Sequence, residues 1–192
     1  MQKVRRYPED EASRRMYLWW IGEGASDHHI MEKVRTELER IFEIPAQVWS
    51  RPQRPVDSFH PVRGQHSSTR VLHWLIGMRP ADADKILAIT DVDLFIPILT
   101  FVFGEAQLDG VAAVVSTARL VRNPDGTPAE RGLLTARLVK ECVHELGHTF
   151  GLVHCADHRC VMARAAALTD VDAKRGELCL ECRLRFKDLR QR

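Results

Sequence analysis

The chain has 192 residues, 45% of them hydrophobic and 28% charged, enough for one sizeable core and the composition of a folded, soluble protein. Lys and Arg number 28 against 26 Asp and Glu, a formal net charge of +2 that gives no case for a nucleic-acid partner. Met1–Asp10 is polar and basic without an apolar core, and nothing later approaches the roughly twenty apolar residues of a membrane helix, so neither a secretion signal nor a membrane contact is expected.

The first third reads as strand, helix, strand. Met16–Ile21 (MYLWWI) is a short aromatic and apolar run closed by Gly22 and Gly24, the pattern of a buried strand entering a turn. Ser26 and Asp27 can cap a helix whose apolar positions Ile30, Val34, Leu38, Ile41 and Phe42 recur at helical spacing. Ile44–Trp49 resumes an extended pattern, and residues 51–62, with three prolines, read as an irregular loop.

In the middle third, Gln65–Met78 combines Ser/Thr capping chemistry with Leu72, Leu75 and Ile76 at helical spacing, and Arg79-Pro80 ends it. Lys85–Thr90 is a core strand, and Phe101–Gly104 and Val111–Leu120 are two more, joined through the turn dipeptide Asp109-Gly110. Val111–Leu120 is the expected edge strand, along which an extended ligand would lie. Asn123–Pro128 (NPDGTP) is dense in turn residues, and a long helix starts near Glu130. The expectation is an α/β protein with a mixed sheet of four or five strands supporting that helix.

The helix carries the chemistry. His144–His154 reads HELGHTFGLVH, three imidazoles and a carboxylate at fixed spacing. Residues four apart share a helical face, so His144 and His148 can both reach one zinc ion, and Glu145 falls near enough to take a proton from a metal-activated water without binding the metal. A third ligand six residues on cannot share a straight helix with them. Gly151 is placed to end the helix in a left-handed conformation so that His154 closes the triad. Three neutral imidazoles leave a fourth position for water, the arrangement of a hydrolytic site.

Cys155, Cys160, Cys179 and Cys182, spaced C-x4-C and C-x2-C with eighteen residues between the pairs, match a closed, structural zinc site of four thiolates. Buried thiols, or a redox pair at Cys179 and Cys182, are the alternatives, and His158 could replace a thiolate. Five cysteines crowded into 142–182 suit a reducing cytoplasm better than a disulfide framework. Cys142 points to another helical face and reads as a small packing residue. His28, His29, His60, His66 and His73 read as surface or capping residues. Asp91 and Asp93 share one face of an extended segment, where they either bind a cation or orient a histidine, or form a polar strand end. Arg183–Arg192 reads as a solvated helix end.

The string H-E-x-x-H-x-x-G-x-x-H, run into C-x4-C-x-M and completed by C-x-x-C, closely resembles the archaemetzincins, zinc metalloproteases of the metzincin clan. Arg63-Gly64-Gln65, Thr90–Leu94 and Phe101–Ala106 also look like segments of that family, so the resemblance covers most of the chain. It implies a catalytic zinc on His144, His148 and His154, Glu145 as general base, and a second zinc on Cys155, Cys160, Cys179 and Cys182. It makes Met162 the methionine of the Met-turn, a soft apolar floor under the three histidines. The expected architecture is a compact, metzincin-like single domain, with an N-terminal subdomain of about 1–151 and a zinc-stabilised C-terminal one of about 152–192. The expected molecule is a cytoplasmic monomer with two zinc ions per chain, acting on a peptide or protein substrate. The alternative is a zinc-stabilised peptide-binding module whose catalytic centre is restrained.

Overall fold

The computed structural model describes residues 15–23, 26–50 and 53–191; Met1–Asp10, Gly24, the start of the 51–62 loop and Arg192 lie outside them. Strands β1 (Arg15–Trp20), β2 (Ala46–Ser50), β5 (Ala83–Thr90), β7 (Gly104–Ala106) and β8 (Ala112–Ser116) form one sheet in the order β2, β1, β5, β8, β7. Its first four strands are parallel, and β7 runs antiparallel at the edge. Strands β3 (Phe59–His60), β4 (Gln65–Ser67) and β6 (Leu94–Phe95) form a small second sheet.

The alternation of side chains along the central strands divides the interior in two. Met16, Leu18, Leu87, Ile89, Ala113 and Val115 face one layer, formed by α1 (His28–Phe42), α3 (Arg131–Thr149) and the C-terminal segment. Tyr17, Trp19, Ile86, Ala88, Ala112 and Val114 face the other, under α2 (Ser68–Gly77). Asp27 caps α1 by accepting from the amides of His29 and Ile30. The C-terminal helices α4 (Leu168–Ala173) and α5 (Leu180–Arg190) share the α1/α3 core: Phe186 stacks edge-on against both Phe42 and Phe150, with ring centroids 5.4 and 5.2 Å apart. The chain is thus one compact α/β domain.

Three sequence expectations need correction. Phe101–Phe103 is not a strand; β7 begins at Gly104, and before it only Val102 bridges to Leu94. Val111–Leu120 is not an edge strand, because β8 is shorter and lies between β5 and β7 with all five residues buried. An interior strand and an edge strand can have the same apolar run, and only pairing tells them apart. Gln65–Ser67 pairs as β4 before α2 begins, and Ile76 is 38% exposed and so not part of the α2 core face.

The correction moves the open edge to β7. Phe103 O accepts from Ser116 N, and Gln107 N donates to Ala112 O. In an antiparallel ladder alternate residues point opposite ways, so the main-chain groups of Gly104 and Ala106 face away from β8. The following loop is tied to the end of α3, where the amide of Asp109, at φ 53°, donates to His148 O.

Candidate metal centre

Helix α3 brings His144, Glu145 and His148 into the interior beside the β7 edge. It ends as the sequence requires: Gly151 has φ 87°, its amide donates to His148 O, and the amide of Leu152 donates to Gly147 O. This paired closure reverses the chain and returns His154 to the other two histidines.

The three imidazoles offer nitrogens that all lie within 4.8 Å of one another. His144 Nε2 and His148 Nε2 are 3.1 Å apart. Two nitrogens bound tetrahedrally to one zinc at about 2.0–2.1 Å stand about 3.3 Å apart, so the donor set fits the ion. The remaining nitrogens are committed: His144 Nδ1 bonds Val161 O at 2.8 Å and His148 Nδ1 bonds Leu152 O at 2.7 Å. Donating Nδ1–H to a carbonyl fixes the tautomer that leaves Nε2 free for a metal. Burial, with the positive charge of Lys174, holds His144 well below its usual range; burial also lowers His148 and His154. All three therefore stay in the neutral form that a metal needs.

Glu145 is buried, and burial pushes its carboxyl well above the usual carboxylate range, with Glu141 adding to the rise and Lys174 opposing it. Its side chain lies against Gly104, where any Cβ would stand 2.6 Å from Glu145 Cγ and 2.7 Å from Val114 O. Met162 is fully buried, and its sulfur packs against Gly147, between the two helix histidines, where a Cβ would meet it at 2.6 Å.

A second cluster forms beside the first. Cys155 and Cys160 lie in the segment after α3, Cys179 immediately precedes α5 and Cys182 sits in its first turn; their four sulfurs also lie within 4.8 Å of one another. Cys155 Sγ and Cys179 Sγ are 3.8 Å apart. Sulfurs sharing one tetrahedral zinc at about 2.3 Å stand about 3.8 Å apart, so this donor set fits zinc too. His158 is exposed and outside the cluster. Cys142 is fully buried, which pushes its thiol well up, as expected of a packing residue.

The aspartates go elsewhere. Asp93 accepts from Arg119 at 2.7 Å and from Gln65 at 2.8 Å, and Asp91 accepts from Arg54 at 2.6 Å and the Glu23 amide at 2.9 Å. Both tie loops together, the polar strand-end reading. His28, His29, His60 and His73 are exposed, and His66 is half-buried against Ser58.

Sequence reasoning missed Glu141 and Lys174. They form a buried pair, Nζ to Oε1 3.0 Å, with side chains 3% and 1% exposed. Burial raises the Glu141 carboxyl, and the ammonium pulls it back. Glu141 lines a cavity of about 220 Å³ that also touches His144, Glu145 and His154. A glutamate four residues before Glu145 and three before His144, on one helical face, was the available signal.

The model of peptidase family M54 matches residues 28–188. The archaemetzincin of Methanocaldococcus jannaschii is 40% identical over 134 residues, 70% of this chain and 73% of that protein. The one from Methanopyrus kandleri is 44% identical over 132 residues, 69% and 71% of the two chains. The crystal structure of the M. kandleri archaemetzincin matches with a TM-score of 0.84 at 34% identity, covering 96% of this chain and 99% of that one. That of a zinc-dependent peptidase from Methanocorpusculum labreanum matches at 0.79 and 33%, covering 89% and 99%.

Proposed function

Since the chain belongs to peptidase family M54 and is a zinc metallopeptidase, we propose that His144, His148 and His154 hold its catalytic zinc and that Glu145 is the general base. The observation that carries this reading is the convergence of three imidazoles, two of them with their second nitrogens tied off, next to the buried side chain of Glu145. Bound there, zinc would supply Lewis acidity toward a substrate carbonyl and toward a water molecule.

The protein's own residues do the rest. The peptide pairs with the outward main-chain groups of Gly104 and Ala106, which orients the scissile carbonyl toward the histidines. Glu145 takes a proton from the attacking water and delivers it to the leaving amine nitrogen. Cys155, Cys160, Cys179 and Cys182 hold a second, structural zinc, for two ions per chain, and Met162 is the Met-turn residue under the histidines. Residues of about 1–151 form an N-terminal subdomain and those of about 152–192 a C-terminal one, which the second zinc stabilises from within because all four thiols lie in it.

The test is Glu145→Ala against a diverse peptide library. The expected result is zinc content equal to wild type with cleavage abolished. Equal background from both proteins sinks the enzymatic reading, and binding without turnover by wild type supports a restrained peptide-binding module instead.

A further inference from the structure

The cavity beside the histidines has a consistent chemistry from mouth to floor. Leu99 and Arg164 are exposed at its rim, Phe101 and Phe103 form its wall, and buried Glu141 closes it. The wall is rigid: the two rings meet edge to face at 5.2 Å, and the Arg119 guanidinium lies 3.9 Å over Phe101. At about 220 Å³ the space exceeds the roughly 150 Å³ cavity that accommodates a benzene ring. On the floor, Lys174 engages one oxygen of Glu141. No other hydrogen bond reaches the Glu141 carboxylate among the described residues.

We propose that Glu141 makes this pocket selective for a tyrosine-type side chain, an aromatic body with a hydrogen-bond donor at its tip, on a residue flanking the scissile bond. The inference rests on the peptidase reading and names the substrate class of that site. A purely apolar side chain would cover the carboxylate oxygen without giving it a donor. A cationic one would approach the Lys174 ammonium, the Arg164 guanidinium and a divalent metal at once, and a single carboxylate already paired to Lys174 does not offset all three. A phenol fills the aromatic wall and donates to the free oxygen.

The test uses peptides identical except for Tyr, Phe, Leu or Lys at each position flanking the cleaved bond. Calorimetry of L-tyrosine hydroxamate against L-phenylalanine hydroxamate on the zinc-loaded protein adds a readout that needs no turnover. Tyr is expected to exceed Phe by about tenfold or more in kcat/KM at one of the two positions, and in Kd. Glu141→Leu combined with Lys174→Met removes the carboxylate without stranding an ammonium, and is expected to bring the Tyr/Phe ratio to about one. A ratio near one in wild type, a preference for Lys, or a ratio unchanged in the double variant overturns the proposal. Should the double variant fail to fold, the wild-type ratios decide alone. A hydroxamate ratio that holds while no peptide is cleaved keeps the pocket assignment and removes the peptidase reading; cleavage without a Tyr preference does the reverse.

Discussion

Replacing Gly104 with alanine tests whether the β7 edge positions Glu145. The added methyl carbon would stand 2.6 Å from Glu145 Cγ and 2.9 Å from Oε1, about 0.8 Å short of ordinary contact at 3.4 Å. The carboxylate cannot keep its place. The methyl also meets the Val114 carbonyl at 2.7 Å, so the strand itself cannot yield cheaply. A misplacement approaching 1 Å at a reacting group costs up to about 100-fold, so kcat/KM is expected to fall on the order of 10- to 100-fold. That loss equals about 1.4–2.7 kcal/mol of transition-state stabilisation. Overpacking adds about 1–3 kcal/mol of destabilisation, and for a chain of this size each kcal/mol lowers Tm by about 2–4 °C. The assay is peptide cleavage with zinc analysis and thermal melts, with Gly132→Ala as the control, since a Cβ there meets nothing within 4 Å. Zinc content should match wild type. Gly104→Ala with wild-type kcat/KM, in a protein that melts cooperatively, would refute the positioning of Glu145 by this glycine.

Lys174→Met leaves Glu141 buried and unpaired and should cost about 3–5 kcal/mol in urea unfolding, most of it recovered by adding Glu141→Leu; a loss below about 1 kcal/mol would show that the pair is not buried as described. Acid should release zinc from the histidine site only well below pH 6.5, because burial lowers His144 most and leaves protons weak competitors for its nitrogen. By the same sign, the histidine contribution to the stability of the metal-free protein is complete above about pH 6.5 and is lost as pH falls toward the lowered folded values, since the unfolded imidazoles there bind more protons, while the raised carboxyls of Glu141 and Glu145 act in the opposite sense; melts of metal-free wild type against His144→Leu across pH 5–8 isolate that contribution, and a Tm difference between the two that does not change with pH would contradict it. Cys182→Ser should reduce zinc from two ions to one per chain and weaken the remaining site about 10- to 100-fold in chelator competition; one ion held at wild-type affinity would disprove the coupling.

The metal helix was legible because each of its determinants is local. Histidines four apart, a glycine at the helix end and paired cysteines act through spacing that helix geometry converts directly into positions. The left-handed Gly151 and the return of His154 followed from those rules. Strand placement did not, since the run from Phe101 to Gly104 is as apolar as any strand, yet its ladder starts only where Gly104 meets Val115. The second sheet escaped notice because strands of two or three residues have no measurable period. Glu141 and Lys174 are 33 residues apart, and nothing in either local sequence announces the other. The two aspartates show the opposite case: their alternation suggests one face of an extended segment, but residues 91–92 bend and the arginine partners come from two remote loops.

The two clusters are adjacent because one short segment serves both. Leu152 O and Val161 O accept from the second nitrogens of His148 and His144, while Cys155 and Cys160 lie between those two carbonyls. The segment closes on itself where the Cys155 amide donates to Met162 O, and on the C-terminal strip where the Val161 amide donates to Glu177 O and the Arg175 amide to Arg159 O. A metal on the four thiols would therefore fix three things at once: the backbone of His154, the carbonyl that sets the His144 tautomer, and Met162 under the histidines. The cavity depends on the same strip through a different route. Arg137 grips Asp172 at 2.7 Å and Lys140 reaches the carbonyls of Val171 and Asp172 at 3.0 Å, which holds Lys174 in place to pair with Glu141. Helix α3 thus meets the C-terminal segment through charge on one side and through the hydrogen bonds of His144 and His148 on the other, and the cleft lies between these two attachments.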